Sequence, residues 1–537
     1  MSPLLYLGLG FLLAVSASVT NSHKTTCVLS RLSPLSAAAQ FEFSARPQRS
    51  LCLGGEWLRC FSPSRRRRVR GVHAEKNQTE PLPPQRASAD SSNQVEDLSK
   101  GQITERVVCV ANAAQSYALY LPSNYTPTRQ WPILYAFDPG ARGKVPVERF
   151  KDAAEKYGWI VAGSNNSRNG SMQGSLDAWK AIWEDTHERF AVDQSRVYLT
   201  GFSGGARTAV YFANLCKDCI TGVIACGAGF PAGLTPAPAM HFVFFGAVGV
   251  DDFNFAELRT LDDSLLKTGI AHEVRVFAGR HEWAPQAVAT EAVEWMELQA
   301  MKAGKRQRDE KLISELWQQY IASGTALESE HKPYEAYQLF AGLIDSFKGL
   351  HETREAEKLA GRLRDNRAVK DALRDERQQI SSERDSEREI YTLIAASTGE
   401  ESFDSGVRLR TVLMELQKSA QADSDIGPRR VARRVLEGLY VGFIEQGNLL
   451  QAQKNYVQAA TKFELSAQVL PDRPGAFFYL AQAYALSGNR KQSLQALKNA
   501  INKGFSDRAA ITDNKAFESL RNEPQYLQII QSLKDAH

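Results

Sequence analysis

The chain has 537 residues, a hydrophobic share of 43% and a formal net charge of +4. This length predicts about three or four domains, each able to bury a core of its own. Part of the positive charge is concentrated in one run, residues 65–70, so the rest of the chain is close to neutral and favours neither nucleic acid nor an anionic surface as a partner.

The N-terminal residues carry targeting and linker signals. Residues 1–20 contain the apolar run Leu4–Val15 and then small residues around Ala17, which resembles a signal peptide. If this segment is cleaved we expect a periplasmic or secreted protein, and otherwise a cytoplasmic one. Residues 21–100 are rich in Ser, Pro, Arg and Gln, which predicts a disordered leader or linker. No apolar stretch reaches the ~18 to 20 residues of a transmembrane helix, so no stable membrane span is predicted.

Residues 101–304 alternate between short β-rich runs and helical patterns. The β-rich runs are RVVCV, YALYLP, PILYAFD, WIVAGS, RVYLTGF, ITGVIACGAG, HFVFFGAVG and HEVRVFAG. Near-continuous apolar runs at 133–137, 197–200 and 241–245 are typical of strands that are buried on both faces. The alternation predicts a doubly wound, mostly parallel α/β sheet whose first two strands are joined without a helix.

The C-terminal half is predicted to be helical. Residues 305–440 are highly charged, with opposite charges four residues apart, which indicates a solvated helical connector in which 330–347 forms a degenerate repeat unit. Within 441–537, the segments 455–472 and 488–507 align at a period of about 34 residues and place small side chains at helix contacts. This region resembles tetratricopeptide (TPR) repeats, and the resemblance implies a protein partner.

One serine stands between glycines where a predicted strand meets a predicted helix. The stretch Gly201-Phe202-Ser203-Gly204-Gly205 matches G-x-S-x-G. In this motif a strained turn exposes the serine at the start of a helix, and the residues two positions away must be small. Because the required strand and helix flank the motif, Ser203 is the candidate nucleophile.

Two further side chains follow later strands at the same predicted edge of the sheet. A serine hydroxyl needs a base, and His281 stands in the loop after the eighth strand. The acid that orients such a base is expected after the seventh strand, where Asp252 is the first choice and Asp251 the second. We therefore predict a triad of Ser203, Asp252 and His281.

Backbone donors are needed for the oxyanion that forms when a serine attacks a carbonyl group. Gly204, directly after the nucleophile, is the first predicted donor. The second is expected in the loop after the third strand, where Gly140 is preferred and Ala141 is next, because Pro139 has no N–H.

Other loop residues are predicted to shape a substrate pocket. Arg142 and Asn169 lie on loops at the carboxyl ends of strands, where ligands bind in open α/β sheets; turn formation is the alternative role for the Asn-rich loop. Trp283 either walls the site or anchors the last helix. The lone pair Cys216 and Cys219 lacks further ligands for zinc, so we predict no metal and no cofactor; the two cysteines are expected to lie at a helix end, where they could be bridged in an exported protein.

Residues 104–304 together resemble an esterase of the α/β-hydrolase superfamily, near the poly(3-hydroxybutyrate) depolymerase and feruloyl esterase-like group. The residues that carry the resemblance are YALYLPSNY, WPILYAFDPGARG, NNSRNG, RVYLTGFSGGART, GVDDFNF and GRHEWAP. The loop after the third strand has Asp-Pro where the family usually has His-Gly. The resemblance implies hydrolysis of a carboxylic ester, small or polymeric, through an acyl-enzyme, and it does not identify the ester.

Two alternative functions stay open at the level of sequence. One is a peptidase or amidase on the same scaffold, because sequence does not separate oxygen from nitrogen leaving groups. The other is a binding protein in which the repeats dock a partner and the hydrolase domain is inactive.

Overall fold

The computed structural model describes residues 98–397, 402–423 and 426–533. The predicted signal peptide and nearly all of the predicted leader lie outside the described residues. An α/β region comes first and an all-helical region follows it, and both belong to one compact unit.

The α/β region is built on one eight-stranded sheet with the strand order β1-β2-β4-β3-β5-β6-β7-β8. The strands are β1 Ile103–Val108, β2 Ser116–Tyr120, β3 Trp131–Phe137, β4 Ile160–Ser164, β5 Val192–Phe202, β6 Gly222–Cys226, β7 Val243–Gly249 and β8 His272–Phe277. β2 runs antiparallel to β1 and β4, and the remaining neighbours are parallel. β3, β4 and β6 are buried along their whole length, which explains their apolar sequences.

Five helices cover the two faces of the sheet; four of them connect parallel strands and the fifth follows β8. They are α1 Lys144–Tyr157, α2 Met172–Arg189, α3 Gly204–Leu215, α4 Phe255–Thr268 and α5 Gln286–Lys302. Alternate strand residues supply separate cores, with Tyr135 and Leu199 in one and Leu134 and Tyr198 in the other. This is the α/β-hydrolase arrangement, and the predicted fold class is confirmed.

The all-helical region contains eleven α-helices and one 3₁₀ helix within the described residues. They are α6 Glu310–Ser329, α7 Pro333–Phe347, α8 Arg354–Arg364, α9 Arg367–Ala396, α10 Ser402–Gln421, α11 Ile426–Ala452, α12 Tyr456–Val469, α13 Pro474–Leu486, α14 Arg490–Asn502, α15 Arg508–Thr512, the 3₁₀ helix Lys515–Leu520 and α16 Pro524–Ser532. α12 and α14 occupy the two aligned segments, and the small residues Ala459, Ser466, Ser493 and Ala500 are fully buried. The TPR assignment stays a prediction. α11 spans residue 440, which is the predicted boundary between the connector and the repeats.

A buried ion pair ties the helical region to the sheet. Arg434 of α11 lies 2.8 Å from Glu383 of α9, with side-chain exposures of 0% and 2%. The Arg434 guanidinium also donates to the Val250 carbonyl oxygen at 3.0 Å and lies over the ring of Phe255, 4.4 Å from its centroid. The loop after β7 is therefore held from the helical side.

Two smaller features bear on the sequence predictions. Cys216 and Cys219, at the end of α3, form a disulfide, whereas Cys109 and Cys226 are buried thiols. In the part of the chain that the structure describes, no helix combines the length and apolar character that a membrane span needs.

Replacing Arg434 with Met leaves the Glu383 carboxylate buried without its partner, so the free energy of unfolding should fall by about 3–5 kcal/mol. Denaturant unfolding of the full chain measures the change. The double variant Arg434→Met/Glu383→Met removes both charges and should recover much of the loss. Arg408→Met, which breaks the exposed pair with Glu389, should cost less than about 1 kcal/mol. Equal losses for Arg434→Met and Arg408→Met would contradict the role of the buried pair.

Candidate active site

The turn from β5 into α3 holds Ser203 in an unusual backbone conformation, with φ 53° and ψ −122°. Few residues with a side chain adopt a positive φ, so such a turn is strained. A Cβ at Gly201 would collide with the carbonyl oxygen of Gly205, and a Cβ at Gly205 would collide with that of Phe137. Close backbone contact on both sides therefore requires glycine at both positions.

The structure brings Ser203, His281 and Asp252 together in one hydrogen-bonded file. His281 Nε2 lies 2.9 Å from Ser203 Oγ, and His281 Nδ1 lies 2.9 Å from Asp252 Oδ1. The imidazole also contacts the rings of Phe202 and Phe253, with centroids 4.6 Å and 4.0 Å away. Such a file can move a proton from a hydroxyl to an imidazole whose other nitrogen is held by a carboxylate.

The adjacent aspartates Asp251 and Asp252 have different partners. Asp252 is fully buried, and its Oδ1 also accepts the N–H of Asn254 at 2.8 Å. Burial raises the pKa of Asp252, and the hydrogen bond and charge of His281 act in the opposite direction. Asp251 instead pairs with Arg430 of α11 at 3.2 Å. The first choice for the acid therefore contacts the histidine, and the second contacts the helical region.

A buried carboxylate organises the loop after β3. Asp138 Oδ1 accepts the N–H of Gly140 and Nε–H of Arg142, both at 2.8 Å, and Oδ2 accepts Nη2–H of Arg142 at 3.0 Å and Nε1–H of Trp283 at 2.9 Å. Burial acts to raise the pKa of Asp138, but these hydrogen bonds outweigh it and hold the pKa below its usual value. Sequence reasoning missed this role, although Asp138 stands directly after β3.

The loop geometry bears on the second predicted oxyanion donor. The N–H of Gly140 is taken up by the Asp138 carboxylate, and the N–H of Ala141 donates to the Asp138 carbonyl oxygen at 3.1 Å. Neither group is free to meet an oxyanion in this conformation. The N–H of Gly204 is the first of α3 and has no acceptor within the helix, so it is the better placed of the predicted donors.

The predicted pocket residues have distinct environments. Trp283 is 5% exposed and, through Asp138, anchors the loop rather than facing solvent. The Arg142 side chain stays 59% exposed while paired with Asp138. Asn169 packs against the nucleophile turn, since a Cβ at Gly204 would collide with its Oδ1.

The helical region also contacts the loop that packs against the nucleophile turn. Asn169 Nδ2 donates to Oε1 of Glu445, on α11, at 3.4 Å. Sequence reasoning missed Glu445 because no local motif marks it and its contact spans the two regions. Among the residues described, no group of three or more His, Cys, Asp or Glu is arranged to hold a metal ion.

No protein-family model matches the chain, and no curated protein matches it by sequence. Similar solved structures include S-formylglutathione hydrolase from Staphylococcus aureus, at 15% identity over 34% of this chain and 90% of that chain, with a TM-score of 0.29. A feruloyl esterase module from Clostridium thermocellum is 14% identical over 39% of this chain and 90% of that chain, with a TM-score of 0.30. Est1E from Butyrivibrio proteoclasticus is 11% identical over 37% of this chain and 100% of that chain, with a TM-score of 0.30. Likenesses at this level leave the substrate of this chain open.

Asp252→Asn should lower kcat by about 10⁴-fold on any ester that the protein turns over, because the amide no longer fixes the tautomer and charge of His281. Asp251→Asn is the matched control, and it should stay within about threefold of the unchanged protein because its ion pair with Arg430 is partly exposed. Steady-state kinetics of the two variants decide the assignment. A larger loss in Asp251→Asn would reverse it.

Proposed function

We propose that the protein is a serine hydrolase that cleaves carboxylic esters through an acyl-enzyme. The observation that supports this most directly is the file of Ser203, His281 and Asp252, with 2.9 Å at both steps. The strained turn at Ser203 adds support, because it presents the hydroxyl at the start of a helix.

In the proposed reaction Ser203 Oγ attacks the ester carbonyl while His281 Nε2 takes the hydroxyl proton. His281 then returns that proton to the leaving alcohol as the C–O bond breaks, which leaves the acyl group on Ser203. In the second half of the reaction, water attacks the acyl-enzyme while His281 takes its proton. His281 then returns the proton to Ser203 Oγ as the acyl C–O bond breaks, and the acid is released. Asp252 stays ionised and stabilises the imidazolium.

The negative charge on the carbonyl oxygen needs donors in both addition steps. Gly204 supplies one N–H, and the positive end of α3 favours the anion further. For Gly140 to serve as the second donor, its N–H must leave the Asp138 carboxylate when substrate binds. Arg142 and Asn169 are proposed to contact the substrate.

We propose that the leaving group is an alcohol rather than an amine. If it were an amine, the protein would be a peptidase or amidase on the same scaffold. A protein partner for the TPR-like helices also remains a proposal. The contacts of α11 with the loop after β7 support a role of the helical region at the active site itself.

Ser203→Ala should lower turnover of p-nitrophenyl acetate by about 10⁴-fold or more and abolish labelling by a fluorophosphonate probe, because both need the serine oxygen. Ser195→Ala is the matched control; Ser195 is exposed and its hydroxyl donates to the neighbouring Asp193 carboxylate, so activity and labelling should be unchanged. Persistent labelling of Ser203→Ala would remove Ser203 as the nucleophile.

The same protein should hydrolyse esters of graded acyl length, feruloyl and hydroxybutyryl esters included, faster than the corresponding aminoacyl anilides. Comparison of kcat/KM across the two series is the measurement. Faster cleavage of the anilides would favour the peptidase alternative.

A further inference from the structure

α11 passes across the proposed catalytic residues. Gly438 lies against Phe253, since a Cβ there would stand 3.4 Å from the Cβ of Phe253, and the Phe253 ring contacts His281 at 4.0 Å. About two turns further along, roughly 10 Å, Glu445 contacts Asn169. One face of α11 therefore spans the site from the side of the base to the side of the nucleophile.

Glu445 is the acidic group of α11 nearest the nucleophile turn. Its only hydrogen bond among the described residues comes from the Asn169 amide at 3.4 Å, and it has no ion pair within the described part of the chain. Burial raises the pKa of Glu445, while the charges of Arg207 and His281 act to lower it. Glu445 is only partly buried, and a carboxylate whose one hydrogen bond is this long would be stabilised by a further donor.

Four arginines near the site do not supply that donor, because each already pairs with another acid. Arg207 pairs with Glu257, Arg142 with Asp138, Arg430 with Asp251 and Arg434 with Glu383. Among the neighbouring charges, that of Arg207 acts most strongly to lower the pKa of Glu445. Two nitrogens of Arg207 nevertheless donate to Glu257, at 2.9 Å and 2.6 Å. None of these four arginines forms an ion pair with Glu445, so its carboxylate is open to a ligand.

We propose that Glu445 determines substrate specificity by binding an ammonium group on the acyl part of the ester. The proposal rests on the proposed hydrolase function. The acyl part is specified because the leaving alcohol takes its proton from His281 Nε2, and Glu445 contacts Asn169, which packs on the Gly204 turn where the carbonyl oxygen is expected. An ammonium group fits better than a hydroxyl because it donates hydrogen bonds and also offsets the negative charge.

Three naphthyl esters with the same carbon skeleton test the proposal: butyrate, 3-hydroxybutyrate and 3-aminobutyrate. The full-length protein should show the highest kcat/KM for the 3-aminobutyrate ester. Glu445→Gln should lower that value on the order of 10- to 100-fold, as expected for a lost charged hydrogen bond, and leave the butyrate value within about threefold. Glu445→Asp keeps the charge and should retain part of the preference.

The matched control is Glu437→Gln, which removes one carboxylate from the same helix. Glu437 pairs with Arg473, away from the triad, so Glu437→Gln should leave all three kcat/KM values unchanged. Thermal unfolding of each variant separates loss of recognition from loss of folding.

Four results would overturn the inference. An equal loss of kcat/KM for all three esters in Glu445→Gln would indicate a structural role for Glu445. No loss of kcat/KM for any ester would indicate that Glu445 does not contribute to recognition. A preference for the 3-hydroxybutyrate ester that disappears in Glu445→Gln would replace the ammonium with a hydroxyl. Absence of Ser203-dependent turnover of every ester would instead overturn the proposed hydrolase function together with the inference, which distinguishes the two failures.

Discussion

The site depends on the backbone of Ser203, which is held at a positive φ of 53°. A residue in such a conformation costs about 1–3 kcal/mol and persists only where its surroundings enforce it. Here the enforcement is backbone contact, because glycines at 201 and 205 let the turn close on itself and on β3. The backbone of the turn thereby directs the Ser203 hydroxyl straight at His281 Nε2.

The placement of the triad residues was predictable from sequence because it follows from topology. In a parallel sheet the carboxyl ends of strands lie at one edge, and Ser203, Asp252 and His281 follow β5, β7 and β8. The role of Asp138 was not predictable, because its contact with Trp283 joins residues 145 positions apart and leaves no periodic signal. Gly140 is the predicted second oxyanion donor, but its N–H is bound to the carboxylate of Asp138, two residues earlier.

The charge pattern of residues 305–440 predicts a solvated connector, and one face of α9 departs from that prediction. Charge composition does not reveal whether a charged side chain meets water or a partner on another element. Glu376 of α9 pairs with Arg259 of α4 at 2.9 Å, and Glu383 pairs with Arg434. The face of α9 that carries these residues is an interface, because their partners supply what water would otherwise supply.

The adjacent aspartates after β7 show how the two regions share one site. Asp252 turns inward to His281 and Asp251 turns outward to Arg430, so the loop that carries them contacts both regions. Arg434 holds the same loop one residue earlier through the Val250 carbonyl oxygen. A hydrogen-bonded file tolerates displacements of only about 0.5 Å, and this loop carries its third member. The helical region is therefore part of the support on which the geometry of the proposed triad depends, and a division of the chain near residue 304 would remove one side of that support.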